Sequence, residues 1–353
     1  MSGAAGAPWV TVILVNYNGG ALIQAALDSL AAQTDPDFVA LVLDNASTDG
    51  SAERLVLPDP RFRLLRAPVN LGFAAGNNRA AREVRTPWLA TLNPDARADP
   101  DWLAALARAV ARHPGVAMFG SLQRDGARPG LIDGCGDVLS VGGIPWRGGT
   151  GQPLAAAPTA DGEAFAPCAA AALYRTDAFR AAGGFDPPFF CYIEDVDLGF
   201  RLRLAGHRCV QVAEARVTHL ASAISGRTSD FTLFHSYRNR IRMVARSLPG
   251  PLLAPGLALH LAATVYLLIR SRAPAAAWRG FAAGLRLLPA ALADRAPIQA
   301  GRRARTGQIA RALNWRLGDL RRRPIDLRPV DGASRPRGAP LGDPPKGRRP
   351  FTQ

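Results

Sequence analysis

WVTVILVNYNGGALIQAALDSLAAQTDPDFVALVLDNAS, residues 9–47, decides the fold class. Trp9–Val15 is a continuous apolar, β-branched run, the pattern of a strand buried on both faces inside a parallel sheet. It stops at the turn NYNGG (16–20), and residues 21–33 then repeat Leu22, Ala26 and Leu30 at helical spacing. Residues 36–47 read as a second buried strand closing on Asp44 and Asn45. The alternation continues outward. STDGSAERL (47–55) predicts a helix with Asp49 or Ser51 as its N-cap, and 61–68 a third strand. Residues 70–84 predict a glycine-bearing loop entering a helix, and 88–96 a fourth strand ending in a polar turn. Residues 100–114 form an amphipathic helix with proline at both ends.

Strands alternating with helices argue for an α/β fold with a mostly parallel sheet flanked by helices. In such sheets ligands lie beyond the carboxyl ends of the strands. Four polar clusters fall at those ends: Asn16/Asn18, Asp44/Asn45, Asn70/Asn77/Asn78 and Asn93/Asp95. They point to a nucleotide-type pocket in the first hundred residues. Neither GxGxxG after the first strand nor GxxxxGK[ST] occurs, which argues against an ordinary dinucleotide or P-loop site. A diphosphate held here therefore needs another counter-charge. Asp95 is the candidate ligand for a divalent cation, since Mg²⁺ takes one or two carboxylates together with substrate phosphates. The same residue also suits an Asx-turn in NPDA (93–96), and the pattern leaves both readings open.

A second stretch, GGFDPPFFCYIEDVDLGFRLRLAGHR (183–208), sets Glu194, Asp195 and Asp197 within four positions. Read as a helix, its acids occupy the first turn, where the macrodipole favours them. Val196, Phe200 and Leu204 form one apolar stripe, Arg201 pairs with Asp197, and Gly206 suits the C-terminal cap. Glu194 and Asp195 are left at the mouth of the helix without a local cation. A capped surface helix is the plain alternative. Upstream, 120–163 is Gly- and Pro-rich and predicts a loop with short strands, while 165–185 predicts an apolar strand and a short helix. Downstream, 209–220 is a last strand carrying His219, a structural histidine or a ligand, beside the polar cluster SAISGRTS (222–229).

The chain has 353 residues and a net charge of +15, which is unevenly spread. Residues 1–220 carry 19 Arg against 22 Asp and Glu; residues 221–353 carry 24 Lys and Arg against 6 acids. An anionic partner surface, nucleic acid or acidic lipid, follows for the C-terminal third. Residues 252–269 run 18 positions without a charge, the threshold for a membrane span, and 281–293 is a second apolar piece. Helices lying in the membrane interface, with arginines on the headgroups, fit this pattern. A helical subdomain packed on the core is the alternative. The uncharged run and the lack of basic–aromatic interleaving count against nucleic acid. Four cysteines without CxxC pairing argue against a disulfide framework or zinc site and for a reducing cytosol. The N-terminus shows no basic segment followed by an apolar core, so no signal peptide is visible.

VILVNYNGG (12–20), LVLDNASTDGS (41–51), NLGFAAGNN (70–78), LNPDA (92–96) and GGFDPPFFCYIEDVDLGFRL (183–202) stand in order. Together they closely resemble family 2 inverting glycosyltransferases of the GT-A fold, especially bacterial rhamnosyltransferase-like members, over residues 9–245. The resemblance implies a donor site at Val15, Asn16, Asn18, Asp44, Asn70, Gly72, Asn77, Asn93 and Asp95, with Asp44 reading the pyrimidine ring. It implies Mg²⁺ or Mn²⁺ held by Asp95 and His219, with Asn93 replacing the first acid of the DXD motif. Asp195 matches the catalytic base, with Glu194 beside it to position the acceptor. Arg238 and Arg240 are candidates to approach phosphates, or else belong to a solvated basic face. The implied donor is dTDP-L-rhamnose or a similar nucleotide sugar. The implied acceptor is a polyprenyl-diphosphate-linked glycan, at the cytoplasmic face of the bacterial inner membrane. A non-catalytic nucleotide-sugar-binding or scaffolding protein of the same fold is the alternative. The expected organisation is a flexible N-terminus (1–8), the GT-A domain (9–245), a helical membrane-associating region (246–323) and a disordered basic tail (324–353).

Overall fold

The computed structural model describes residues 7–220, 229–271, 273–316 and 318–330. Its first half runs β1 (Val10–Asn16), α1 (Leu22–Ala31), β2 (Phe38–Asp44), β3 (Phe62–Arg66), α2 (Gly72–Ala81) and β4 (Trp88–Leu92). β1 lies between β2 and β4, parallel to both, and β2 is parallel to β3. Central position explains the unbroken apolar run, since all seven residues of β1 are buried. Successive side chains of a strand point to opposite faces. Val10, Val12 and Leu14 accordingly join one core cluster, with Leu27 of α1, and Ile13 and Val15 the other.

β5 (Ala96–Ala98), α3 (Trp102–Arg112), β6 (Met118–Asp125), β7 (Ile132–Gly134) and the hairpin β8 (Asp137–Leu139) and β9 (Pro145–Arg147) come next. β10 (Gly162–Ala164), β11 (Ala171–Arg175), α4 (Thr176–Ala181), α5 (Glu194–Leu204) and β12 (Cys209–His219) complete the sheet region. The main sheet has the order β10-β12-β6-β11-β4-β1-β2-β3, with β5 added on β12 and β7 on β6. β11 runs antiparallel to both β4 and β6, so the parallel edge passes into a mixed half. β6 and β12 are parallel, interrupted by a bulge between Val212 and Arg216.

The C-terminal helices are α6 (Asp230–Ser247), α7 (Gly250–Ile269), α8 (Pro274–Arg286), α9 (Leu288–Ala293), α10 (Arg295–Ala300), α11 (Thr306–Ala312) and α12 (Asp319–Arg322). α5 is gripped from two sides. Leu198 and Leu202 pack in the sheet-side cluster, while the stripe Val196, Phe200 and Leu204 packs with Met243 and Val244 of α6 and Ile309 of α11. The acid pair at its start is thereby fixed between the sheet and the helical layer.

Four expectations are corrected. Residues 47–55 hold turns in place of the expected helix, because Asp49 folds the backbone on itself. Its carboxylate accepts from Ser51 N and Gly20 N, both at 2.9 Å, and Gly50 takes φ +75°. The strand expected over 88–96 stops at Leu92, turns through residues 93–95 and restarts as β5. The stretch expected to be loop and short strands opens with the eight-residue β6, buried between β11 and β12. Ser121 and Gln123 on it disguise a central strand as a polar segment. Residues 324–330, assigned above to the tail, pack against the body: Glu163 N and Arg328 O bond at 2.6 Å, and Val330 enters the core. Ile325, Leu327 and Val330 supply the apolar surface for this. The rest of the tail, residues 1–6, and all but Ser229 of the polar cluster 222–229 lie outside the described residues.

Candidate active site

The carboxyl ends of β1, β2 and β4, the end of β12 and the start of α5 open onto one cavity of about 680 Å³. Val15, Asn70, Gly72, Asn93, Asp95, Glu194, Asp195 and His219 all line it. Residues up to 204 positions apart in sequence, from Val15 to His219, thus meet in one space. Asn16, Asn18, Asp44 and Asn77 are not among its described lining residues. Asn16 is buried and donates to Asp44 at 3.5 Å and to Ser51 at 3.0 Å. Asp44 also accepts from Ser47 N at 3.3 Å, and Asn18 accepts from Thr48 N at 2.8 Å. These three brace the loops behind the cavity wall. Asn77 turns back on its own helix, donating to Phe73 O at 2.9 Å.

Asn45 holds the loop that carries Asn70 and Gly72. It donates to Asn70 Oδ1 at 2.9 Å and accepts from Leu71 N at 2.9 Å. Gly72 has φ +74°, and a Cβ there would come within 2.5 Å of the Phe190 ring. The glycine lets the loop close directly on the segment that carries the acid pair.

At the end of β4 the turn after Leu92 delivers Asn93 and Asp95, and β12 delivers His219 as its last residue. β5 ties the two together, with Ala96 opposite His219 in the ladder. His219 Nε2 lies 3.2 Å from Asp95 Oδ1 and 3.3 Å from Asn93 Nδ2. Its Nδ1 lies 2.8 Å from Asp133 Oδ2, on β7. Burial alone would lower the imidazole pKa, but its hydrogen bonds to Asp133 and Asp95 raise it above the ordinary value. Asn93 Oδ1 is buried without a hydrogen-bond partner among the described residues. An orphaned carbonyl oxygen, a carboxylate and an imidazole nitrogen in one place form a donor set that suits a divalent cation.

In the same cavity, Asp195 Oδ2 accepts from Ala169 N at 3.1 Å and Oδ1 from Val196 N at 2.8 Å. Main-chain donors fix its orientation. Glu194 is buried with Oε2 unpartnered among the described residues. Burial, and then the charge of Asp195, push its carboxyl well above the usual range. The positive φ of Phe190, Tyr192 and Ile193, at 62°, 69° and 73°, shapes the turn that presents this pair. Backbone held in that region costs of order 1–3 kcal/mol per residue and persists where the surroundings over-determine it. Here Asn239 of α6 clamps the turn, donating to Phe189 O, Cys191 O and Tyr192 O at 2.9, 3.0 and 2.7 Å.

Sequence reasoning missed Asp133, Asp137, Trp146 and Arg147. All four come from the Gly/Pro-rich insertion, and the last three line the cavity. Asp137 is buried beside Asp195 and Cys168, their ligating atoms all within 4.8 Å of one another. Burial, then Asp195, push the Asp137 carboxyl well above the usual range. Acids in a glycine-rich stretch, as in IDGCGD (132–137), were the available signal. Arg238 and Arg240 are placed elsewhere. Arg238 Nη2 donates to Pro188 O at 2.6 Å and to Phe189 O at 2.9 Å, while Arg240 is buried over the Tyr237 ring at 4.1 Å.

A cavity at strand carboxyl ends, lined by both a cluster that suits a cation and an oriented carboxylate, fits a group-transfer enzyme of the α/β class. The comparisons agree. The profile described as glycosyl transferase family 2 matches residues 11–180. N-acetylglucosaminyl-diphospho-decaprenol L-rhamnosyltransferase of Mycobacterium tuberculosis is 34% identical over 241 residues, 61% of this chain and 77% of that protein. The O-antigen biosynthesis protein RfbC of Myxococcus xanthus is 31% identical over 232 residues, 62% of this chain but 18% of its own length. Among solved structures, the mannosyltransferase PcManGT from Pyrobaculum calidifontis, in complex with GDP-Man and Mn²⁺, superposes with a TM-score of 0.51. It is 18% identical over 84% of this chain and 86% of its own. S. aureus TarS 1–349 with UDP-GlcNAc gives a TM-score of 0.51 at 14% identity over 87% and 93% of the two chains. The chain belongs to glycosyl transferase family 2. It is a glycosyltransferase with the GT-A fold and an added C-terminal helical layer.

Proposed function

We propose that this glycosyltransferase moves L-rhamnose, or a closely similar sugar, from a dTDP-type donor to a polyprenyl-diphosphate-linked glycan by inversion. The observation that carries the reading is the single cavity shared by Asp195 and the Asn93–Asp95–His219 cluster. The cluster suits the leaving diphosphate and Asp195 the incoming hydroxyl. The relative in M. tuberculosis, named for a lipid-linked acceptor and for L-rhamnose, supports the choice of substrates.

Asp195 takes the proton from the acceptor hydroxyl as that oxygen attacks the anomeric carbon. The N–H groups of Ala169 and Val196 keep its oxygens aimed while it does so. Glu194, carrying its proton, acts as a hydrogen-bond donor toward the acceptor. Asp95 and His219, with Asn93, would hold Mg²⁺ or Mn²⁺, which would supply positive charge to stabilise the departing nucleoside diphosphate. Val15, Asn70 and Gly72 line the donor side, with Asn16, Asn18 and Asp44 setting the loops behind it.

The acceptor reading extends to the C-terminal helices. α7 is 20 residues long and holds an 18-residue window of mean hydropathy 2.0, long and apolar enough to cross a membrane. Its Gly256, His260, Thr264 and Leu268 are buried against the body, and His260 Nδ1 bonds Gly142 O at 2.8 Å. Leu257, Leu261, Val265 and Ile269 on other faces are exposed, as is Trp278 of α8. A helix anchored to the catalytic body along one side lies in the interface plane, at the cytoplasmic face where a lipid-linked acceptor presents its glycan.

The test offers a panel of nucleotide sugars with an N-acetylglucosaminyl-diphospho-prenol acceptor and Mg²⁺ or Mn²⁺. Acceptor-dependent release of nucleoside diphosphate from dTDP-L-rhamnose is expected. Turnover with another donor alone overturns the sugar assignment, and donor binding without transfer overturns the enzymatic reading of the site.

A further inference from the structure

His219 has two ring nitrogens, and only an unprotonated one can ligate a cation. The partner of the other nitrogen decides which is free, so a ligating histidine depends on the group behind it. That group here is Asp133. β12 is parallel to β6, and β6 is antiparallel to β7, so Asp133 of β7 arrives beside the last residue of β12. Asp133 Oδ2 lies 2.8 Å from His219 Nδ1, and both residues are buried, 2% and 1% exposed. Nε2 then faces Asp95 and Asn93.

Asp133 is held in turn. Arg147 Nη1, from the β8–β9 hairpin, donates to the same Oδ2 at 2.9 Å, and Thr150 Oγ1 donates to the Asp133 main-chain oxygen at 2.9 Å. The guanidinium and the His219 ring thus meet on one carboxylate oxygen, which accepts from both.

We propose that Asp133 is a positioning residue for the cation site: it holds His219 in the Nδ1–H tautomer and turns Nε2 to complete the site with Asp95. Arg147 completes an Arg–Asp–His chain running from the insertion to the end of β12. The inference rests on the reading of Asp95 and His219 as cation ligands, and its test separates the two.

Mn²⁺ alone is titrated into the full chain, with free metal followed by its paramagnetic resonance signal. Wild type, Asp133→Asn and His219→Ala are compared. Losing such a second-sphere partner weakens metal binding about 10- to 100-fold, and Asp133→Asn is expected to fall in that range. Asp133→Asn within twofold of wild type, while His219→Ala loses binding, overturns the positioning role and leaves the cation reading standing. Equal binding by wild type and His219→Ala overturns both. A readout needing no metal is the ¹⁵N spectrum of wild-type histidines, with His219 assigned by its loss in His219→Ala. At alkaline pH, where the ring has lost one of its two protons, a protonated Nδ1 and bare Nε2 are expected; a bare Nδ1 there overturns the proposal even if Asp133→Asn does not fold.

Discussion

Glu194 and Asp195 are neighbours in sequence with opposite environments, and their chemistry follows from that. Asp195 receives two main-chain hydrogen bonds at 3.1 and 2.8 Å, whereas Glu194 Oε2 receives none among the described residues. Two adjacent carboxylates in a dry site do not both ionise easily. Burial, and then the charge of Asp195, push the Glu194 carboxyl well above its ordinary value of 4.5, which favours the protonated form. Exchanging a protonated carboxyl for an amide preserves shape and hydrogen-bond donation. Glu194→Gln is therefore expected to keep turnover within about tenfold, while loss of a general base costs about 10²–10⁴-fold. For stability, a carboxyl raised in the fold loses standing as pH rises from 4.5 toward its folded pKa. Replacement by Gln removes that loss, so thermal melts of the variant hold up better than wild type above that window.

At the scale of elements, α5 carries the proposed base and is tied down by charge as well as by its apolar stripe. Asp197, fully buried, pairs with Arg201 at 2.8 Å and with Arg246 of α6 at 2.6 Å. Arg246 also reaches Asp186 at 2.8 Å, and Arg242 joins Asp186 to Asp294. Breaking a buried pair from one side strands the other charge, at about 3–5 kcal/mol. Arg246→Met is expected near the lower end because Arg201 remains, measured by urea unfolding. Burial would raise the Asp197 pKa, but Arg246 and Arg201 hold it below 3.8. The stabilisation is thus complete above that pH and lost as pH falls through the depressed folded value. Unfolding free energy in the variant should fall less between pH 6 and pH 3 than in wild type, and an equal fall would contradict this account.

The same helix shows what its sequence could reveal. The stripe Val196, Phe200, Leu204 and the Asp197–Arg201 pair are written at i, i+4 spacing and were legible. Arg246, 49 residues away, was not, since pairing across the fold leaves no local period. The parallel edge was legible for a related reason, because strands buried on both faces become apolar runs. Asp133, Asp137 and Arg147 were hidden. Their strands have three residues each, too short for alternation to register, and glycines surround them. The helix wrongly expected over 47–55 failed to Asx-turn chemistry at Asp49, which competes for the same backbone donors.

Across the whole molecule, charge and apolar surface divide labour. The sheet region with its cavity is near neutral, and the basic excess lies after residue 220. There Arg270, Arg279 and Arg286 are exposed among Leu261, Ile269, Trp278 and Leu285. Each arginine near an anionic surface contributes about 1 kcal/mol, and apolar side chains add interfacial burial. The chain is expected to float with vesicles containing phosphatidylglycerol and about tenfold less with pure phosphatidylcholine, a difference that high salt erases. Leu261→Glu with Ile269→Glu should abolish flotation and spare transfer to a short-chain soluble acceptor; unchanged flotation would contradict the in-plane reading. In the proposed function both halves serve one reaction, centred on the carboxylate at the start of α5. The most direct test is turnover by Asp195→Asn beside Glu194→Gln, with saturating donor and acceptor and nucleotide affinity measured separately. The account predicts that Asp195→Asn binds nucleotide as wild type does and turns over about 10²–10⁴-fold more slowly. Turnover by Asp195→Asn within tenfold of wild type would contradict it.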